Sequence, residues 1–360
     1  MPSIRLLNSF RAHEGVVWYV SWSPNGNDLL TCSSDKSVKC WSRMGDTWAV
    51  KETMDGIHKK SIRACEMSPD GTMIAAASFD SNISVYRLEN GEWTFFTMLE
   101  GHVNEVKSIC WSRDSQLLAS SSRDRNVIVW GYNKEDDEMD CVSVLSGHTQ
   151  DVKFVRFCPM TNNLYSCSYD DTIKIWLYDG DDFSNINTLR GHEGTVWGLS
   201  FKNVESPVLP EPEDEEKMEE EHVEGIGLDD EDVMEGVELP DGTFKETEFV
   251  SCGMDGRVIY WKEKDDNIGN SDVTPKIILS DANNDEPLYS IDWNETGILA
   301  AGGNNTVHFL SQIGEGEFMH EFEEKIHDCD VNCVRWNPRD KTIFASCGDD
   351  GLVKVWELLP

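Results

Sequence analysis

The chain is short of positive charge: 31 lysines and arginines stand against 67 aspartates and glutamates, giving a formal charge of −36 over 360 residues. That shortage argues against a nucleic-acid backbone or an anionic membrane as partner, because both demand clustered cations. No apolar run approaches the roughly 18–20 residues that cross a bilayer. Among the 11 cysteines there is no CxxC and no Cys/His set at zinc spacing; the nearest pair, Cys329 and Cys333, has the wrong interval. Scattered cysteines and no signal-like leader predict a soluble, intracellular protein of a reducing compartment. No unique acid, base, nucleophile or phosphate loop stands out, so no catalytic, cofactor or metal residue is expected.

The acidic excess is uneven. Residues 204–248 hold 19 acidic side chains and two lysines. EPEDEEKMEEE has too little apolar surface to fold alone and is expected to be a solvated loop. GIGLDDEDVMEGVELP is less extreme and has enough apolar residues to fold back or dock. The segment 204–247 therefore reads as an insertion, one that would also keep wrong anionic partners away.

What is present is a repeat. Short β-like runs end in an aromatic at Trp41, Tyr86, Trp130, Trp176, Trp261, Phe309 and Trp356, at intervals of 45, 44, 46, 85, 48 and 47 residues. The long interval shrinks to about 45 without the insertion, and a period near 40–45 indicates one four-stranded propeller blade per unit. His13, His58, His102 and His148 each precede their aromatic by 28 residues. His327 precedes Trp356 by 29 residues, and His192 does the same for Trp261 with the insertion discounted. An aspartate stands six residues before the aromatic at Asp35, Asp80, Asp124, Asp170, Asp255 and Asp350. Ser33, Ser78, Ser122 and Ser168 come two residues earlier. Unit six is degenerate, with Asn284 at the histidine position and Gly303 at the aspartate position.

Ser, His and Asp together suggest a nucleophilic triad. A triad is needed once, however, and this set recurs at least four times at a fixed distance from an aromatic. A hydrogen-bonded brace in each blade explains it better: aspartate accepts from histidine, the serine joins, and the indole N–H finds an acceptor. Cys32, Cys167, Cys252 and Cys347, nine residues before their aromatics, are expected as small packing residues of separate blades that do not converge. Seven units predict an all-β, seven-bladed propeller spanning residues 1–360 as a single domain. IRLLNSF at 4–10 should close the ring as the outer strand of the blade formed mainly by residues 329–358.

The geometry of the repeat family that these units resemble puts the aspartate turn and the histidine loop on one rim, which implies that three positions per unit face a common surface. The fifth residue after the histidine reads Trp18, Arg63, Lys107, Lys153, Trp197, then Tyr289 by alignment in the degenerate unit, and Asn332. The third reads Val16, Ser61, Glu105, Asp151, Thr195, Pro287 and Asp330. The residue before the aspartate includes Phe79, Arg123 and Tyr169. Four cations, Arg63, Lys107, Arg123 and Lys153, thus fall on units two to four of a strongly acidic protein. Aromatics surround them at Trp18, Phe79, Tyr169, Trp197 and Tyr289. Arginine and aromatics dominate interface hot spots, and an acidic or carboxylate-ended peptide is the natural partner.

These units resemble the WD40-repeat family along the whole chain. LEGHVNEVKSICW (99–111), DCVSVLSGHTQDVKFVRF (140–157), SYDDTIKIW (168–176), LRGHEGTVWGLSF (189–201) and HDCDVNCVRWNP (327–338) resemble its cytosolic iron–sulfur protein assembly members, as does the turn SSRDRNVIVW. The acidic insertion departs from that pattern. The resemblance implies a cytoplasmic, non-catalytic adaptor without a cluster of its own, monomeric when isolated. Its implied partners are a small Fe–S assembly protein, a HEAT-repeat protein, an iron-only-hydrogenase-like carrier and apo Fe–S clients of cytosol and nucleus. By motif position Arg123 becomes the leading contact, with Arg63, Lys107 and Trp197 beside it. Another WD40 interaction module, such as a ubiquitin-ligase substrate receptor or a chromatin subunit, shares the fold and the basic rim and stays open.

Overall fold

The computed structural model describes residues 2–45, 47–202, 247–264, 272–280 and 286–360. Nearly all of the acidic insertion lies outside the described residues, as does Asn284. Seven four-stranded antiparallel sheets make up the rest. After β1 (Ser3–Arg11), blade one comprises β2 (Val17–Trp22), β3 (Asp28–Ser33), β4 (Val38–Met44) and β5 (Thr47–Met54). Blade two is β6 (Ile62–Met67), β7 (Met73–Ser78), β8 (Asn82–Glu89) and β9 (Glu92–Glu100). Blade three is β10 (Val106–Trp111), β11 (Leu117–Ser122), β12 (Asn126–Asn133) and β13 (Glu138–Ser146). Blade four is β14 (Val152–Phe157), β15 (Leu164–Ser168), β16 (Thr172–Tyr178) and β17 (Phe183–Arg190). Blade five is β18 (Val196–Phe201), β19 (Thr247–Gly253), β20 (Val258–Lys264) and β21 (Asp272–Leu279). Blade six is β22 (Leu288–Trp293), β23 (Ile298–Gly302), β24 (Thr306–Gly314) and β25 (Glu317–Lys325). Blade seven is β26 (Val331–Trp336), β27 (Ile343–Gly348) and β28 (Leu352–Leu359).

The innermost strands β2, β6, β10, β14, β18, β22 and β26 touch in a closed cycle, which makes a seven-bladed propeller. As expected, the ring closes with β1, which pairs antiparallel to β28 from Ser3↔Leu359 to Arg11↔Leu352 and completes blade seven. The second strand of a blade is buried on both faces near the hub, so it is built from small or slender residues. Ala75, Ala76 and Ala77 in β7 and Ser120, Ser121 and Ser122 in β11 show essentially no exposure. Trp41, Trp130, Trp176, Trp261 and Trp356 fill the wider gaps between blades farther out.

Each blade is locked where its middle hairpin meets the incoming loop. The residue after the aspartate adopts a left-handed conformation at Lys36, Ser81, Arg125, Asp171, Gly256 and Gly351, which turns the chain tightly and frees the carboxylate. In blade three Asp124 Oδ1 accepts the Asn126 backbone N–H (3.0 Å), while Oδ2 accepts from Val103 N (3.0 Å) and His102 Nδ1 (2.8 Å). His102 Nε2 is 2.9 Å from Ser120 Oγ, which accepts the Trp130 indole N–H at 2.9 Å. His102 Nδ1 thus donates to the Asp124 carboxylate, and Ser120 Oγ joins the ring to the indole. The chain recurs as Asp170–His148–Ser166–Trp176, Asp255–His192–Ser251–Trp261 and Asp350–His327–Ser346–Trp356. In blade one Thr31 replaces the serine, between His13 and Trp41.

The linking hydroxyl therefore sits two residues before the expected one. Ser33, Ser78, Ser122 and Ser168 instead accept the backbone N–H of the aspartate two residues on. In blade two Ala76 holds the linking position, and His58 Nε2 turns to Ser84 Oγ at 2.9 Å. Blade six also differs from expectation. Gly303, not the residue after it, donates to the Pro287 carbonyl (3.0 Å), the bond made elsewhere by the residue before the aspartate, such as Arg123 to Glu105 (2.9 Å). Asn304 thus takes the aspartate position and Asn305 (φ 62°) the left-handed one. The cause is one residue fewer between this turn and Phe309.

Burial pulls the carboxyls of Asp124, Asp255 and Asp350 upward, but the histidine hydrogen bond and charge outweigh it and hold them below the usual range. At Asp80 the Lys59 backbone N–H leads the same opposition. A carboxylate lowered in this way contributes stability above about pH 4 that is lost as pH falls through the folded value. Two outcomes are expected from urea unfolding. His102→Ala costs about 1–3 kcal/mol at pH 7 by stranding Asp124 and Ser120. Below about pH 4 wild-type stability drops steeply, and that of Asp124→Asn drops less.

Candidate protein-interaction surface

One irregularity repeats in all seven blades and builds the surface. The inner strand carries a register shift between Val17 and Tyr19, Ile62 and Ala64, Val106 and Ser108, Val152 and Phe154, Val196 and Gly198, Leu288 and Ser290, and Val331 and Cys333. The residue skipped each time is Trp18, Arg63, Lys107, Lys153, Trp197, Tyr289 and Asn332. A bulge takes its extra residue out of the ladder and re-aims the side chain. The seven positions spaced from the histidines are therefore bulge residues, clustered where the strands enter the hub.

The structure brings the cations and aromatics together in a contact arc. Arg63 lies over the Trp18 ring (5.3 Å), Trp18 meets Phe79 (6.3 Å), and Lys107 Nζ stands 4.2 Å from the Phe79 centroid. Lys153 lies between Tyr169 and Trp197, at 5.1 Å from each ring. Trp197 meets Tyr289 edge-on at 5.4 Å. Cation–π contact of this kind lets charged groups leave bulk water at reduced cost. Arg63, Lys107, Lys153, Trp197 and Tyr289 also line a narrow cavity of about 20 Å³. Arg123 stands apart from the stacks on its hairpin tip. Its side chain is 56% exposed and pairs with Glu105 at 3.1 Å.

Burial, then the neighbouring Lys153 charge, pushes the Lys107 ammonium down to about 8, and burial also lowers Lys153. A backbone N–H, then Lys107 and Arg123, holds the Glu105 carboxyl below the usual range. The opposite sector is anionic: burial, Asp349 and Glu286 raise Asp330. Among the described residues, the indole N–H groups of Trp18 and Trp197 have no acceptor. Both N–H groups are buried, so what the arc offers to a ligand is the positive charge of its cations and the exposed edges of its rings.

The sequence reading missed the channel below this arc. Eight residues after a histidine stand Glu66, Arg156 and Arg335, and Asp292 holds the same place in blade six; all four line a second cavity of about 310 Å³ with Trp22, Trp293 and Trp336. Arg335 is 7% exposed and donates to Tyr19 Oη (2.7 Å) and to the Ile291 and Val334 carbonyls (3.1 and 3.0 Å). The fixed offset from the histidines was the available signal. Cys333 and Cys347 lie opposite each other across β26 and β27 of one blade. Their burial keeps them as packing groups, and no group of three metal-binding side chains is assembled among the described residues.

Comparison with known proteins adds two findings. The family model for the WD domain, G-beta repeat, matches residues 4–42, 53–87, 93–131, 139–176 and 316–357. The chain is 35% identical to the probable cytosolic iron-sulfur protein assembly protein 1 of Candida albicans, over 99% of this chain and 100% of that protein. It is 35% identical to the probable cytosolic iron-sulfur protein assembly protein CIAO1 homolog of Caenorhabditis elegans, over 95% of this chain and 94% of that protein. To the Kluyveromyces lactis probable cytosolic iron-sulfur protein assembly protein 1 it is 34% identical, over 99% of each.

A lysine whose proton is disfavoured in the folded state destabilises the fold wherever it stays charged. Lys107→Met should therefore raise the melting temperature at pH 7. It should also weaken capture of a fluorescent acidic peptide, read by anisotropy at fixed ionic strength. Wild-type binding should weaken between pH 7 and 9 as Lys107 sheds its proton, and the variant should lose most of that dependence.

Proposed function

Because the chain belongs to the WD40-repeat family of cytosolic iron–sulfur protein assembly proteins, we propose that it is a non-catalytic adaptor in that assembly. In this reading it joins a small Fe–S assembly partner and a HEAT-repeat protein. Together they receive a [4Fe–4S] cluster, as cargo, from an iron-only-hydrogenase-like carrier and pass it to cytosolic and nuclear apoproteins. The whole chain acts as one propeller domain carrying residues 204–247 as an insertion between β18 and β19.

The observation that carries the partner-binding part is the arc of cations stacked on aromatics in a chain of net charge −36. Arg123 and Arg63 offer bidentate donors to a carboxylate, and Lys107 and Lys153 supply charge. Trp18, Phe79, Tyr169, Trp197 and Tyr289 provide rigid apolar area around them. An acidic or carboxylate-ended peptide matches this charge.

The test compares wild type with Arg123→Glu in a tagged pull-down from native cytosol, read by mass spectrometry. Fe–S assembly partners and apo-Fe–S clients are expected on the wild type and lost from the variant. Arg123 is exposed, so the variant should melt within a degree or two of wild type. Recovery of ubiquitin-ligase or chromatin subunits instead would sink the assembly role, and an early-melting variant would make Arg123 structural.

A further inference from the structure

The nine histidines divide unequally. Six brace blades one to five and seven, and His222 lies outside the described residues. The remaining two, His308 and His320, belong to blade six, whose hairpin tip holds Asn304 in place of the bracing aspartate. They sit on adjacent outer strands. His308 is on β24 and His320 on β25, brought together by the register shift between Phe309 and Leu310. His308 Nδ1 stands 3.4 Å from His320 Nε2, with ring centroids 5.3 Å apart.

Two ring nitrogens that face each other at this distance have two options: one carries a proton and donates to the other, or both ligate one cation. The separation admits both. Nitrogens bound to Zn²⁺ at about 2.0–2.1 Å, and held 3.4 Å apart, subtend about 110° at the metal, close to the tetrahedral angle. His320 is exposed and His308 partly so, so a hydrated ion reaches the pair from solvent and keeps waters in its other positions. Imidazole selects zinc, copper and nickel over magnesium and calcium, and the chain's negative field enriches cations near its surface.

We propose that His308 and His320 form a bidentate site for a divalent transition ion of the zinc type. Two imidazoles and water complete its coordination. Such an ion staples the outer two strands of the blade that has no aspartate–histidine brace, and so stabilises the folded chain by binding it alone. The site is independent of the peptide-binding arc and of the assembly role.

Calorimetric titration of the full chain with ZnCl₂ tests this, alongside melting with ZnCl₂ or MgCl₂. One equivalent is expected to bind and to raise the melting temperature, with no such rise in MgCl₂. Both His320→Ala and His308→Gln should weaken that equivalent at least about tenfold, roughly 1.4 kcal/mol. Binding should fade between pH 7.5 and 5.5, because ligating imidazoles must be neutral. Zinc held equally well by both variants, or retained at pH 5.5, would place the ion on cysteines or carboxylates and overturn the site. So would the lack of any saturable equivalent.

Discussion

The bond from the hairpin-tip aspartate to the incoming histidine is the interaction on which the rest depends. It joins two loops that are 22 residues apart in blades one to four, 23 in blade seven and 63 in blade five. The carboxylate accepts from the imidazole, and the hydroxyl ties the imidazole to the indole. Buried in the blade, this chain sets the register of three strands at once. In the six braced blades the inner strand bulges five residues after the histidine, and blade six bulges at Tyr289 without the brace.

That bulge couples the brace to the binding surface. The same irregularity that disrupts each ladder delivers seven side chains to the hub entrance. Its cost shows in the ammonium groups of Lys107 and Lys153, partly withdrawn from water beside Arg63. The faces of Trp18, Phe79, Tyr169 and Trp197 offset some of that cost, and the braces below hold the cations close. A rigid scaffold carrying an unfavourably charged mouth is the usual division between stability and function.

Much of this was legible because the fold is a repeat. Intervals between aromatics count blades, and the geometry of the family that the repeats resemble tells which offsets from the histidine, Trp18 to Asn332, face the rim. The errors arose where local packing substitutes one group for another. Ser120 and Ser122 look alike in sequence and share a face of β11, yet Ser122 stands at the strand end, where it accepts the Asp124 backbone N–H, and Ser120, one step inside, meets the imidazole and the indole. In blade two Ser84 takes over from a position filled by Ala76. In blade six a one-residue deletion moves Asn304, rather than Gly303, into the turn. Arg335 and Glu66 escaped notice because offset eight carries a different residue type in nearly every unit.

The sequence by itself determined the number of blades, the closure by the N-terminal strand and the identity of the rim residues. Each of these follows from short-range periodicity that a single chain displays openly. Only the tertiary structure decided which hydroxyl completes each brace, that the rim positions are bulges, and that Lys153 lies between aromatics of two blades. It alone set His308 against His320 and left Arg335 enclosed in the channel. Those outcomes depend on residues from different blades meeting at the hub or across a slipped pair of strands, and spacing along one chain carries no record of such meetings.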